Sequence, residues 1–150
     1  MVVLGIIVAL LLGIGLSVQT GVNTSLRTAL GSPLHATVVN FVIGTAVVFA
    51  VAGASLLSGA RAPTLAALGR TPSWMFMGGV IGAVYVLGMI VLAPRLGAAT
   101  LMALVVTGQL LAALALDHFG WLGFPVAQVS PMRIAGALLL VVGVVLIRRG

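Results

Sequence analysis

No cysteine, no lysine and only one acidic residue, Asp117, occur in the 150 residues of this chain. Without thiols there is no disulfide framework, no thiolate metal site and no thiol redox chemistry. With charged residues at 5%, the chain cannot cover itself with the hydrated surface of a soluble domain, which is typically about a quarter Asp, Glu, Lys and Arg. What it has instead is 62% hydrophobic residues and a mean hydropathy of +1.37. This composition is that of an integral membrane protein. All seven basic residues are arginines, namely Arg27, Arg61, Arg70, Arg95, Arg133, Arg148 and Arg149, and they lie at the edges of apolar blocks. Basic residues scattered in this way do not form the single solvated face that nucleic-acid binding needs, so nucleic acid is set aside as a partner despite the net charge of +6. Two histidines and one acid supply neither a metal cluster nor a nucleophile–base pair, so no metal, no cofactor and no enzymatic activity are expected.

A helix that spans the hydrocarbon core needs about 20 mostly apolar residues. Pro, Gly and Arg punctuation divides the chain into five such blocks, at residues 2–26, 34–57, 74–93, 98–116 and 132–147, in one transmembrane domain covering residues 1–150. The predicted fold class is therefore all-α integral membrane. The first block has no basic leading region and exceeds the apolar core of a signal peptide, so it reads as a retained span. Pro94-Arg95-Leu96-Gly97 leaves room only for a tight turn, which predicts an antiparallel hairpin of the third and fourth spans.

Five spans place the termini on opposite sides. The side of the N-terminus then carries Arg61, Arg70 and Arg133, and the other side Arg27, Arg95, Arg148 and Arg149. Arginine excess sets orientation, and three against four is almost no excess. The expectation is insertion in both orientations, with two oppositely inserted copies forming an inverted-topology pair in trans; a single orientation fixed by one arginine is the competing expectation.

Polar groups inside the spans are costly unless they face a partner or a cavity. In the first span Gly13, Ser17 and Gly21 repeat every four residues, and Gly15, Gln19 and Asn23 do the same about 200° around the helix. One face suits close packing and the other carries amides. Asn40 with Gly44 in the second span, Tyr85 after Gly82 in the third, and Thr107 with Gln109 in the fourth complete a polar set on four helices. Gln19, Asn23, Asn40, Tyr85 and Gln109 are the candidate substrate-binding residues, with Trp74 at the cavity mouth; helix-to-helix hydrogen bonding is the alternative use of the same groups. Asp117, beside His118 at the end of the fourth span, is expected to pair with Arg133 or with Arg95 of another subunit, a proton-accepting role being the lesser alternative. Gly136 and Gly143, seven apart in the last span, form a candidate dimerisation seam, with packing inside one subunit the competing use of the same stripe. Phe119, Trp121 and Phe124 have the character of an interfacial aromatic belt, as does Trp74, for which the cavity mouth is the sharper alternative.

These residues resemble a known family. Gln19-Thr20-Gly21-Val22-Asn23, Asn40-Phe41-Val42-Ile43-Gly44, Trp74 with Gly78-Gly79 and Gly82, Pro94-Arg95-Leu96-Gly97, Gly108-Gln109, Asp117-His118-Phe119-Gly120, and Arg133 with Gly136 together are similar to the YdcZ-like five-helix proteins of the bacterial drug/metabolite transporter superfamily. The resemblance implies half of a transporter in the bacterial inner membrane, working as an antiparallel homodimer or beside a related, oppositely oriented chain. In the related small multidrug resistance transporters the first helix carries a proton-exchanging glutamate; here it carries Gln19 and Asn23 and no acid, which argues against proton-coupled export of cations. The expected activity is alternating-access transport of a small neutral or zwitterionic organic molecule. The alternatives are a non-transporting membrane scaffold or regulatory subunit, a proton-coupled multidrug or metabolite exporter, and a small pore, the last disfavoured because no helix carries a continuous polar stripe.

Overall fold

In hydrocarbon every backbone N–H and C=O must be satisfied within the segment, and for these apolar runs the helix is the way to do it. A computed structural model, which describes residues 2–149, is accordingly all helical among those residues. The helices are α1 (Val2–Leu30), α2 (Pro33–Leu57), a short α3 (Leu65–Arg70), α4 (Met77–Leu96), α5 (Ala98–Phe119) and α6 (Pro131–Arg149). A 3₁₀ turn at Ser73–Phe76 leads into α4, and another at Trp121–Gly123 follows α5. Five of these segments are long and apolar enough to cross a membrane: Val2–Leu30, Pro33–Leu57, Ser73–Leu96, Ala98–Phe119 and Pro131–Arg149.

The boundaries follow local chemistry. Gly31 adopts φ +67°, a conformation that ends α1 at no steric cost. Ser32 then caps α2, its Oγ accepting from the His35 N–H at 3.3 Å, with Pro33 in the first turn where its missing N–H costs nothing. Thr64 caps α3 in the same way, accepting from the Ala67 N–H at 3.2 Å. The hydroxyls of Ser17, Thr20, Thr24, Ser25, Thr28, Thr37 and Thr107 each donate to the carbonyl four residues earlier. They are satisfied within their own helices and add little polarity to the surface.

Several helices run past their expected ends, α5 reaching Phe119 and α6 Arg149 against the expected 116 and 147. α1 runs on to Leu30, four residues past the expected end, because nothing before Gly31 stops it. The more consequential difference is at Pro94, expected to end the third span but found inside α4. Proline breaks a helix chiefly by stranding the carbonyl four residues back, here that of Ile90, and by crowding it. Arg27 resolves the first problem by donating to that carbonyl from α1 at 3.2 Å. The break instead falls at Gly97, with φ +75°.

The chain divides into two compact units, Met1–Pro94 and Arg95–Gly150. In the first, α1 and α2 form a close antiparallel pair, and α4 meets them through side chains without any close backbone approach among the described residues. Burial is concentrated at one end of the unit: Thr20 and Asn23 on α1, Ala36 and Thr37 on α2, and Met89 and Ile90 on α4. Toward the Val2 end the helices carry no such plug. Residues 2–15 of α1 are exposed throughout, as is α2 from Phe41 onward except Gly53. In the second unit α5 packs on α6, with Leu101, Ala137 and Val144 buried.

Candidate functional site

Where α4 stands off from the α1–α2 pair, the first unit holds an open-sided cavity of about 600 Å³. Helical spacing places its walls. From α2 come Asn40, Gly44, Val48 and Ala52 at intervals of four, with Phe41, Thr45 and Phe49 on the adjoining stripe. α1 contributes Leu16 and Gln19, and α4 contributes Gly82, Tyr85 and Val86. Gly82 and Gly44 carry nothing within 4 Å of a hypothetical Cβ, so each leaves volume in the wall instead of serving a close helix contact. The lining is apolar apart from the two amides, the phenol and the Thr45 hydroxyl. A few polar groups in an apolar hollow of this size are the pattern of a small-molecule site.

Three of the residues singled out in the sequence, Gln19, Asn40 and Tyr85, are thus brought together from three helices. From the 1.5 Å rise per residue, Gln19 and Tyr85 lie within about 5 Å of the midpoints of their spans, and Asn40 about 7 Å from its own, toward the plugged end. The Tyr85 hydroxyl is buried and finds no hydrogen-bond partner among the described residues. A donor and acceptor left over in an apolar wall is unusual, since such groups are nearly always paired.

The other candidates lie elsewhere. Asn23 is buried one turn beyond Gln19, in the plug and not in the cavity wall. Trp74 sits in the 3₁₀ turn before α4, 54% exposed and outside the lining. Gln109 is exposed on α5, in the second unit. Phe41, Thr45 and Phe49 were not singled out, although they follow from Asn40 by helical spacing.

Asp117 lies in the last turn of α5 and pairs with Arg133, whose Nη1 is 3.3 Å from Oδ2, the arrangement expected within one chain. The same Nη1 donates to the Ala127 carbonyl at 3.2 Å, and the Ala127 N–H returns a bond to the Asp117 carbonyl at 2.8 Å. His118 Nδ1 accepts from the Val129 N–H at 3.2 Å. Together these contacts staple the connection between α5 and α6. Gly136 lies beside them in a groove formed with Leu110, Ala113 and Leu114, while Gly143 is half-buried further along α6. Neither glycine has an atom within 4 Å of a hypothetical Cβ. Phe119 and Trp121 stack at 4.8 Å and remain exposed. Among the described residues no group of three or more His, Cys, Asp and Glu gathers in the manner of a metal site.

The most consequential residue missed in the sequence is Arg27, read there only as a helix-end marker. Its available signal was the proline at 94, which strands one carbonyl and so calls for an outside donor.

A multi-spanning helical membrane protein with a cavity of metabolite size is the class that this fold and site define. A sequence model of the family described as "Putative inner membrane exporter, YdcZ" matches residues 4–146, and the chain belongs to that family. Membership places it in a family of inner-membrane transporters. No curated protein and no solved structure matches the chain.

Proposed function

We propose that the chain is one half of a secondary transporter that moves a small neutral or zwitterionic organic molecule by alternating access, as an antiparallel homodimer inserted in both orientations. The observation that carries the reading is the cavity in which Gln19, Asn40 and Tyr85 converge from three helices. Amides and a phenol present hydrogen-bond donors and acceptors without net charge, which suits a cargo of the same kind; the bilayer and that cargo are the partners. Asp117 is already occupied by Arg133 in the other unit, which supports its part as an ion pair over that of a proton carrier.

Dimerisation is supported by how little each span covers itself. At most 11% of any span's most apolar 18-residue stretch is buried by its own chain. Gly13 and Gly21 have open space where a Cβ would stand, as do Gly136 and Gly143, so their smallness serves no contact within the chain. Helix association in lipid favours small residues, and the near-even arginine distribution supports opposed copies.

The test has two arms. A single cysteine at Thr64 or at Gly150, labelled in intact cells with a membrane-impermeant maleimide, is expected to react partially and to a similar extent at both positions. Labelling at one position alone would remove dual insertion. In the second arm, neutral and zwitterionic metabolites are screened for thermal stabilisation of the purified protein, since a ligand held by the native state raises its apparent stability. Stabilisation by a given compound should disappear in Gln19→Ala and Asn40→Ala. If both variants keep it, the cavity is not the binding site.

A further inference from the structure

Burial in the first unit is lopsided along the membrane normal. The six buried residues on α1, α2 and α4 form a plug, and the cavity runs from that plug past the midplane along the α2 stripe from Asn40 to Ala52, about 18 Å at 1.5 Å per residue. Near the open end Val48 and Phe49 remain 68% and 71% exposed. A cavity shut at one end and splayed at the other is the geometry of one side of an alternating-access cycle. In such a cycle something must hold the shut end and then release it.

Arg27 stands just beyond the plug. Its Cα is about 16 Å past the midpoint of α1, near the edge of the hydrocarbon, and a helical side chain leans back toward its own N-terminus. The guanidinium therefore reaches inward, to the carbonyl of Ile90, a residue with 0% exposure at the heart of the plug. That carbonyl is free to accept because Pro94 has no N–H to offer it. Arg27, Thr24, Thr28, Gly31 and Pro94 also surround a hollow of about 360 Å³ immediately outside, so there is room for the guanidinium to move away. The partner is a neutral carbonyl and not a carboxylate. A charge-assisted bond to a dipole is strong enough to hold two helices and weak enough to break, whereas an ion pair at this depth would be costly to separate.

We infer that Arg27 is the latch of a gate: its bond to the Ile90 carbonyl clamps the proline-interrupted end of α4 onto α1 and keeps the cavity shut on that side, and its release opens the cavity there. The inference rests on the alternating-access reading of the same cavity, and it adds to that reading which contact closes it. α4 is the moving element, since among the described residues its backbone makes no close approach to the backbones of the α1–α2 pair. Both Gly31 and the carbonyl stranded by Pro94 sit at the end that must open, where neither α1 nor α4 is tied by a full helical ladder.

The chain has no cysteine, so a single thiol placed in the plug at Thr37 reports water access without background. The purified protein is alkylated with a water-soluble charged maleimide, with Thr45→Cys in the open cavity as the reference. With Arg27 intact, Thr37→Cys should react slowly and Thr45→Cys readily. Because alkylation tracks the fraction of molecules that are open, Arg27→Gln should speed Thr37→Cys by about tenfold or more, the scale set by losing one charge-assisted hydrogen bond, and leave Thr45→Cys within about twofold. Arg27→Lys retains a cationic donor and should give an intermediate rate. An equal Thr37→Cys rate in the parent and in both variants overturns the latch. Should Arg27→Gln lose its monodisperse elution, Arg27→Lys alone decides, its rate rising by about threefold or, against the inference, not at all. The readout needs no cargo: cavity substitutions that leave every bound compound unaffected overturn the transport reading while the labelling contrast persists, and loss of the contrast alone overturns only the gate.

Discussion

The Arg27 guanidinium and the Ile90 carbonyl meet at 3.2 Å, and that carbonyl is the one whose helical donor is missing because residue 94 is proline. A sequence feature on one helix thus creates the acceptor that a cation on another helix fills. The stabilising effect of Arg27 should therefore depend on Pro94. In a double-mutant cycle of Arg27→Ala and Pro94→Ala, followed by thermal unfolding in detergent, we expect a coupling of about 1–2 kcal/mol, because an alanine N–H takes over the Ile90 carbonyl. Additive effects would mean that the two residues act independently.

Tyr85→Phe should separate folding from binding. The hydroxyl is buried without a partner among the described residues, so its removal should leave thermal stability unchanged or raise it by up to about 1 kcal/mol. Any cargo that bonds to that hydroxyl would lose affinity in the same variant, read as a smaller ligand-induced shift in Tm. A loss of stability of about 2 kcal/mol or more in the unliganded protein would mean that the hydroxyl has a structural partner after all.

Much of this was legible in the sequence, and the residues show why. Apolar run length fixes the five spans, since in lipid the helix is almost the only option for them. Gln19, Asn40 and Tyr85 declare themselves because a polar group in hydrocarbon must face something. What was hidden depends on contacts between helices that have no local signature. Asn23 repeats the spacing of Gln19, yet its extra turn carries it from the cavity into the plug. Trp74 is aromatic and near a helix start, but the 3₁₀ turn before α4 leaves it outside the lining. Pro94 read as a stop because proline usually is one, and only the approach of Arg27, 67 residues earlier in the chain, shows how the helix continues through it.

The pair of Asp117 and Arg133 is partly exposed, at 32% and 40% of the respective side chains, so its direct contribution is expected to be small, about 1 kcal/mol or less. Asp117→Asn should therefore lower Tm only slightly. Arg133→Ala should cost more, because the Ala127 carbonyl loses its donor as well. The same Asp117→Asn variant addresses the proton question: a transport rate with unchanged pH dependence is expected from an ion pair, whereas abolished pH dependence would assign the carboxylate a part in coupling.

Glycine content alone does not say which glycines the fold needs, and Gly120 and Gly136 make the contrast. Gly120 ends α5 with φ +64°, and a Cβ there would lie 2.6 Å from Cγ2 of Val126 and 3.5 Å from the Phe124 carbonyl oxygen. The Val126 methyl is the end of an exposed side chain and can rotate away, so the main penalty is the left-handed backbone that an L side chain adopts with difficulty. Gly120→Ala should destabilise by about 1–2 kcal/mol and loosen the staple between α5 and α6. Gly136→Ala meets open space in its own chain and, from helix propensity, should leave the unfolding of an isolated chain unchanged or up to about 1 kcal/mol more stable. If chains pair through α6, Gly136→Ala and the bulkier Gly143→Val should instead weaken the dimer, seen as a shift to monomer on dilution in detergent. An unchanged dimer in both variants would place the contact between copies on another face, with the exposed Gly13, Ser17 and Gly21 stripe of α1 the next to substitute.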